Sequence, residues 1–451
     1  MKKFITTLQN IWKIEELRKR LIFTIIMIAV FRFGAHVLLP GVNKAALELA
    51  AGGGNTADIF GLLNAFTGGA FSRASVLALG IMPYITASII IQLLGFGVPY
   101  FQRLQQKEGE SGRKKLTQIT RALTIAVTVV QGSAYLTFIK SAGAIDPNLS
   151  ESIFFGANIV ILSTGTIFAM WLGERITDKG VGNGISLLIM IGIIAALPGA
   201  FFAELQKQAG APLIFILELA FFFAIIMASV LIIQAVRRIP LQYAKRMVGR
   251  GTGQMPASNV RDYLPVKVNA AGVMPIIFAQ ALMFLPAQIA QFSGVDAATS
   301  SGFVRALSNP FSLPSSIIAF FLVVVFTFFY TALTVNPKQH AEFLKRQNAF
   351  IPGIKPGKST ADFIDTITSR VTLPGSIFLG LITILPAVAV FFGVNQAFAL
   401  FFGGTSLLIL VGVALDTMQQ INSYLIMRKY DGLIKSGKMM GRTGMQVGNT
   451  L

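Results

Sequence analysis

The chain has 451 residues, of which 54% are hydrophobic and only 13% are Asp, Glu, Lys or Arg. Soluble domains usually contain about a quarter charged residues, so this composition places much of the chain in lipid. There is no cysteine and there are only two histidines, which excludes disulfides and thiol catalysis and leaves little for metal or acid–base chemistry. The formal net charge of +19 would by itself suit nucleic acid, anionic lipid or an acidic protein.

Apolar segments long enough for a membrane-spanning helix, which needs about 20 residues, follow one another along the chain. In chain order they are 20–40, 74–99, 117–139, 153–173, 184–203, 212–236, 270–292, 313–335, 372–393 and 396–417. The sequence therefore predicts an all-α polytopic membrane protein of about ten transmembrane helices. A polar connection at 204–211 divides these spans equally, and halves with an odd number of spans would be inverted in the membrane.

A short apolar segment, Ile59-Phe-Gly-Leu-Leu-Asn-Ala-Phe66, lies between the first two spans. It is only about two helical turns long, which is too short to cross a bilayer, and Gly68 and Gly69 follow it. Backbone at membrane depth that is not a full helix must be buried in protein or line a cavity. The segment is therefore either a re-entrant plug or an interfacial loop packed on the outer surface.

Lys and Arg concentrate at the N-terminus and in the connections after the even-numbered spans. By the positive-inside rule these segments are cytoplasmic, as are both termini. Two of these connections, 237–269 and 336–371, are long and basic, with Gly and Pro at turn positions that favour ordered hairpins. We expect them to bind a cytoplasmic partner, because a few lysines would be enough for orientation.

Ionisable groups inside the spans are few, and Arg32, Arg121, Glu218 and Asp416 are the clearest. Ion-coupled transporters usually need such groups at the membrane midplane. Arg32 has a simpler interpretation as a structural tie to a helix end. The sequence carries no recognisable nucleotide, metal or nucleophile motif, which predicts a non-enzymatic protein with no cofactor, no metal site and no catalytic residue.

Several stretches, in order from the second span to the tenth, resemble the SecY family of bacterial protein-translocase channels. They are Ala78-Leu-Gly-Ile-Met-Pro-Tyr-Ile-Thr-Ala-Ser-Ile89, Lys107-Glu-Gly-Glu-Ser-Gly-Arg113, Gly180-Val-Gly-Asn-Gly-Ile-Ser186, Tyr243-Ala-Lys-Arg246, Leu264-Pro-Val-Lys-Val-Asn269, Pro352-Gly-Ile-Lys-Pro-Gly357 and Phe402-Gly-Gly-Thr-Ser-Leu-Leu-Ile409. The resemblance implies an hourglass channel that passes unfolded preproteins across the bacterial inner membrane and releases apolar segments sideways into it. The alternative is a secondary transporter of small solutes with inverted repeats.

The resemblance also implies a division of the chain into two inverted five-helix halves around a central pore. These are residues 1–203 and 212–418, joined by an external hinge at 204–211 and followed by a cytoplasmic tail at 419–451. The first half would contain the plug at 59–71. The second half would contain both docking loops.

Four groups of site residues follow from the resemblance. An aliphatic pore ring would comprise Ile81, Ile85, Ile185, Ile189, Ile277 and Ile409. The plug would include Ile59, Phe60, Leu62, Leu63, Asn64 and Phe66. A lateral gate between the second and seventh spans would use Thr86, Gln131 and Gln280. Cytoplasmic docking would use Lys245, Arg246, Arg250, Lys355 and Lys358, with lysine at 355 where the family typically has arginine.

The implied partners are the small subunits SecE and SecG, the SecA ATPase, the ribosome, unfolded preproteins and the lipid bilayer. Energy for transport would come from these partners, because this chain carries no nucleotide-binding motif.

Overall fold

The structure is a computed structural model that describes residues 12, 14–43, 46–47, 64, 67–106, 109–147, 150–243, 262–280, 282–283 and 311–435. Within these residues, seven helices are long and apolar enough to cross a membrane. The chain divides into two compact units, of which unit 1 comprises residues 1–198 and 413–451 and unit 2 comprises residues 199–412. The predicted multi-pass helical protein is confirmed in this part of the chain.

Unit 1 is built from long helices. They are α1 (Glu15–Gly34), α2 (Met82–Gly97), α3 (Pro99–Gln106), α4 (Gly109–Ser141), α5 (Glu151–Lys179), the first part of α6 (Gly184–Lys207) and the later part of α12 (Gly404–Lys435). Helix α4 packs against α2, α3 and α5, and α1 packs against α5. The apolar residues of these helices therefore cover one another on one side, while the remaining apolar faces stay exposed, as in a protein surrounded by lipid.

The predicted second span begins at residue 74, but helix α2 begins only at Met82. The residues before it form turns, because Gly80 has a φ of +52° that no regular helix contains. Pro83 lies in the first turn of α2, where its missing N–H costs no hydrogen bond. The span is therefore a turn segment (residues 67–81, called the pre-α2 segment below) followed by a helix.

The core of unit 1 forms where the pre-α2 segment meets α4 and α5. Phe71, Ala78 and Leu79 are buried against Tyr135 and Leu136 of α4. A Cβ at Gly165 of α5 would lie 2.2 Å from the carbonyl oxygen of Val76, so only glycine allows this close backbone approach. This packing holds irregular backbone at the depth of a predicted span.

Unit 2 contains the remaining described helices. They are the end of α6, then α7 (Pro212–Gln234), α8 (Leu313–Thr334), α9 (Pro337–Arg346), α10 (Lys358–Phe391), α11 (Gln396–Ala399) and the start of α12. Of the predicted seventh span, residues 274–280 are helical. Ile276 and Ala279 from this segment pack with Val323 of α8, Leu379 of α10 and Leu408 of α12.

The two predicted docking loops form one folded structure in unit 2. Strand β1 (Val236–Pro240) pairs antiparallel with β3 (Tyr263–Lys267), and β2 (Gln242–Tyr243) pairs with β4 (Ala349–Phe350) from the second loop. Apart from β4 and the turns on either side of it, the second loop is helical, because α9 fills its first part and α10 begins at Lys358 rather than at the predicted 372. The expectation of a hairpin is therefore wrong for 336–371, and these strands add a small β component to the predicted all-α class.

Candidate functional site

The predicted ring isoleucines lie on, or immediately before, four helices or helical segments. In unit 1, Ile81 is buried just before α2, whereas Ile85 on α2 and Ile185 and Ile189 on α6 are half-buried. A Cβ at Gly173 would lie 2.9 Å from Cγ1 of Ile185, so that glycine lets the first turn of α6 pack against α5.

In unit 2, Ile277 is half-buried in the helical segment 274–280, and Ile409 is buried on α12. All the ring positions therefore lie at or near the start of a helix or helical segment, where the backbone is well defined. Their convergence on one constriction stays a prediction.

Asn64 is the one predicted plug residue that the structure describes, since Ile59, Phe60, Leu62, Leu63 and Phe66 lie outside the described residues. Its side-chain oxygen accepts a hydrogen bond from the Ser72 N–H at 3.1 Å. Its carbonyl oxygen accepts one from the Gly69 N–H at 2.9 Å. Asn64 therefore bonds to the pre-α2 segment, which shares residues 67–71 with the predicted plug.

Arg32 of α1 holds the same segment from another side. Its Nη1 donates a hydrogen bond to the carbonyl oxygen of Gly68 at 3.1 Å. Gly68 has a φ of +64°, and a Cβ there would lie 2.4 Å from that Nη1 and 2.9 Å from the Cα of Gly192. Arg32 lies in the last turn of α1, so its hydrogen bond ties the end of that helix to a turn that only glycine can form, in line with the structural interpretation suggested by the sequence.

Tyr135 of α4 is a further anchor that sequence reasoning missed. Its hydroxyl donates to the carbonyl oxygen of Phe71 at 2.7 Å, and the two rings pack with centroids 4.6 Å apart. A tyrosine within an apolar span is the signal that could have pointed to it, because its hydroxyl needs a partner when buried. Asn64, Arg32 and Tyr135 together restrain the pre-α2 segment through directed hydrogen bonds.

Two of the three predicted gate residues have hydrogen-bond partners inside their own units. The Thr86 hydroxyl donates to the carbonyl oxygen of Met82 in its own helix at 3.1 Å. In unit 2, the side-chain oxygen of Gln280 accepts a hydrogen bond from the Thr405 hydroxyl at 3.1 Å. Gln131 is half-buried on α4. Only the Gln280–Thr405 bond joins two helical segments, which is a usual role for neutral polar groups in membrane helices, and the part of all three residues in a gate stays a prediction.

The predicted docking residues Lys245, Arg246 and Arg250 lie outside the described residues, whereas Lys355 and Lys358 are exposed. The carbonyl oxygen of Lys355 accepts a hydrogen bond from the Thr360 hydroxyl at 2.9 Å, which secures the turn before α10. Lys358 is the first residue of α10. Both lysines are thus presented to solvent by ordered backbone.

A hydrophobic core lies beneath this surface. Ile239 and Val266 from the β1–β3 pair are buried with Leu344 of α9, Ala349 of β4 and Ile364 of α10. We call the structure formed by residues 236–243, 262–267 and 337–364 the docking subdomain. The core joins the two loops that were predicted to dock partners.

The docking subdomain also presents basic groups that were not among the predicted docking residues. Arg237, Arg238 and Lys267 are exposed on β1 and β3. The guanidinium of Arg238 lies 4.8 Å from the centre of the Tyr263 ring, an arrangement that orders the side chain and leaves its charge available. The arrangement can present a fixed array of positive charge to a phosphate-rich or acidic partner.

Comparison with known proteins identifies the family. The SecY family model matches residues 75–418. The chain belongs to the SecY family. It is 42% identical over 454 residues to the protein translocase subunit SecY of Streptomyces coelicolor, covering 96% of this chain and all of that one. It is 43% identical over 440 residues to SecY of Halalkalibacterium halodurans, covering 95% and 99%.

Solved structures show the same fold. A protein-conducting channel matches with a TM-score of 0.63 at 19% identity, over 90% of this chain and 92% of that one. A SecY protein whose plug domain stabilises the closed state and maintains a membrane seal matches with a TM-score of 0.61 at 18% identity, with the same coverage. Sec61 of the canine ribosome–channel complex matches with a TM-score of 0.59 at 17% identity, again with that coverage.

Membership in the SecY family confirms the prediction of a protein-conducting channel and of a protein that is not an enzyme. The alternative, a secondary transporter of small solutes, is not supported.

Proposed function

We propose that this chain is the translocase channel of a bacterial inner membrane, with both termini in the cytoplasm. It passes unfolded preproteins across the membrane and releases sufficiently apolar segments sideways into the bilayer. The observation that carries the proposal is a relationship to translocase SecY subunits that extends over 95–96% of the chain. The alternation of basic and weakly charged connections supports the orientation.

Resting closure comes from the aliphatic ring, formed by Ile81, Ile85, Ile185, Ile189, Ile277 and Ile409, together with the plug at 59–71. Aliphatic side chains cannot replace the hydration shell of an ion, so a narrow apolar constriction loses its water and blocks ion flow. An unfolded polypeptide can still slide past, because such a wall offers no strong binding site. The plug-containing SecY relative supports this assignment.

The chain works as two halves, residues 1–203 and 212–418, that move about the external hinge at 204–211. The boundary between the compact units at residues 198 and 199 lies close to this hinge, which supports the division. Thr86, Gln131 and Gln280 line the lateral gate. A segment apolar enough to prefer lipid leaves through that gate, whereas a polar segment continues across the membrane.

The docking subdomain receives the cytoplasmic partners. Its exposed basic residues suit ribosomal RNA phosphates and acidic protein surfaces, and the canine Sec61 relative works in a complex with the ribosome. Lys245, Arg246, Arg250, Lys355 and Lys358 contact the ribosome and the SecA motor, while SecE and SecG complete the assembly in the membrane. Lysine at 355 keeps the charge of arginine but lacks its planar fork, so motor binding there depends on charge alone.

Crosslinking tests the pore directly. Ile85 and Ile277 would each be replaced by a photoreactive amino acid, and a secretory precursor would be stalled during transport in reconstituted vesicles. We expect both positions to form adducts with the precursor, because both belong to the constriction. The control position is Ile153, which is exposed on α5 and would react with lipid. Active transport without adducts at Ile85 and Ile277 would contradict the pore assignment.

A further inference from the structure

Two carboxyl groups meet within unit 2 at the connection between α6 and α7. Glu204 lies in the last turn of α6 and is 0% exposed, and Glu218 is half-buried on α7. Between Lys179 and Arg237 the only Asp, Glu, Lys, Arg or His residues are Glu204, Lys207 and Glu218. Burying two ionised carboxyl groups in so apolar a region costs folding free energy unless their charge is compensated.

Each carboxyl group has one oxygen that accepts a hydrogen bond. The Asn395 N–H donates to Oε2 of Glu204 at 2.7 Å, and Nε2 of Gln208 donates to Oε1 of Glu218 at 3.2 Å. The other two oxygens, Oε1 of Glu204 and Oε2 of Glu218, are buried and accept no hydrogen bond from the residues that the structure describes. The two carboxyl groups are close enough to interact with each other both electrostatically and as hydrogen-bonding groups.

An ionised carboxylate can accept hydrogen bonds but cannot donate one. A hydrogen bond between Glu204 and Glu218 therefore requires that one of the two carboxyl groups be protonated. Like charges this close also prevent both groups from ionising together. We propose that Glu204 and Glu218 form a proton-binding site, in which the two carboxyl groups share one proton.

The surrounding charges balance with one proton in place. The protonated pair carries one negative charge, and the Lys207 ammonium nearby carries one positive charge. The neighbouring segments add no further charge, since residues 371–415 contain no Asp, Glu, Lys, Arg or His. A divalent metal is a poorer fit, because the described residues offer no cluster of three or more Asp, Glu or His side chains.

The proton would stabilise the contacts between the α6–α7 connection and the loop before α11. Glu204 binds the Asn395 N–H, the Lys207 ammonium donates to the carbonyl oxygen of Gly393, and Gln208 binds Glu218. Loss of the proton would leave two adjacent buried negative charges and would loosen this set of contacts. Near neutral pH the separated carboxylates of the unfolded chain would both be ionised, whereas the folded state holds one proton. The stability that the pair contributes therefore decreases as the pH rises.

Infrared spectroscopy on the complete translocase complex in lipid nanodiscs tests the site. At pH 7 we expect a carbonyl stretch from a protonated, buried carboxylic acid, lost at high pH. Glu204→Gln and Glu218→Gln should each abolish the signal, because the amide N–H₂ supplies the missing donor and the remaining carboxylate ionises. Glu151→Gln, at an exposed acidic residue on α5, is the matched control and should keep it. Absence of the signal from the unmodified protein would overturn the proposal, whatever the variants do.

Thermal unfolding supplies an independent measurement. The melting temperature of the unmodified complex should fall by several degrees between pH 6 and pH 9, whereas both amide variants should change much less and should be the more stable proteins at pH 9. Equal pH dependence in all three would contradict the shared proton. A melting temperature that rises with sodium or calcium, without the acid signal, would also overturn it by identifying a cation as the ligand.

Discussion

The pre-α2 segment in unit 1 and the docking subdomain in unit 2 are both irregular parts of a helical membrane protein, but they are stabilised differently. The pre-α2 segment is restrained by single hydrogen bonds, from Arg32 to Gly68 and from Tyr135 to Phe71. The docking subdomain has strand pairs and a closed hydrophobic core that includes Leu344 and Ile364.

The difference suits two mechanical roles. A segment held by a few directed bonds can be released when those bonds break, at a cost of about 1–3 kcal/mol each, and can return afterwards. A core of interlocked apolar side chains transmits force without rearranging, because close-packed interiors are stiff. We therefore expect changes in the first region to alter channel closure, and changes in the second to alter partner binding or local folding.

The largest effect is expected in the docking subdomain. Ile364→Asp would place an unpaired charge where the side chain is 1% exposed, so the subdomain should lose on the order of 4 kcal/mol of stability. Limited proteolysis of inside-out vesicles should then cut the 236–243, 262–267 and 337–364 segments rapidly. Ser369→Asp, at an exposed position on the same helix, is the control and should leave the digestion pattern unchanged. Unchanged resistance in Ile364→Asp would contradict the idea of a single core.

Removing the Arg32 anchor should have the next largest effect. Arg32→Leu deletes the charged hydrogen bond to the Gly68 carbonyl oxygen, a loss of about 2 kcal/mol. In planar bilayers the resting complex should show a raised ion conductance. Arg32→Lys keeps the charge and one possible donor, so the conductance of that channel should lie between those of the unmodified and the Arg32→Leu channels. Channels of Arg32→Leu that stay as tight as the unmodified ones would show that this bond does not restrain the closed state.

A smaller effect is expected at Tyr135. Tyr135→Phe keeps the packing against the Phe71 ring but removes the hydroxyl that donates to the carbonyl oxygen of Phe71. Loss of that hydrogen bond costs about 1 kcal/mol of stability. We expect a slight rise in resting conductance and a small drop in melting temperature. The same change at Tyr100, which is exposed, should have neither effect. A leak as large as that of Arg32→Leu would contradict the expected smaller contribution of the Tyr135 hydrogen bond.

Charge reversal at Lys355 should affect stability least. Its side chain is exposed, so Lys355→Glu should leave the melting temperature unchanged while weakening SecA and ribosome binding in a salt-dependent way. Equilibrium binding at two salt concentrations measures this, with Lys114→Glu, at an exposed lysine on α4, as the control. Undiminished binding of SecA and the ribosome would contradict the assignment of Lys355 to the docking surface.

Hydropathy and charge in the sequence alone were enough to predict a polytopic helical protein, and ordered motifs were enough to indicate its family. The start of α7 agrees with the prediction at residue 212, and α8 begins at the predicted 313. Both properties are local, because each span must satisfy its own backbone hydrogen bonds within about 20 apolar residues.

The anchors of the pre-α2 segment, the β2–β4 pair and the Glu204–Glu218 contact could not be read from one sequence. Each joins residues that are distant in the chain or separated by a turn whose course is set by packing, such as Asn395 with Glu204. The late start of α2 has the same origin, since the close approach of Gly165 to Val76 holds that backbone out of a helix. Hydropathy treats each segment by itself, whereas these contacts depend on which segments fold against each other.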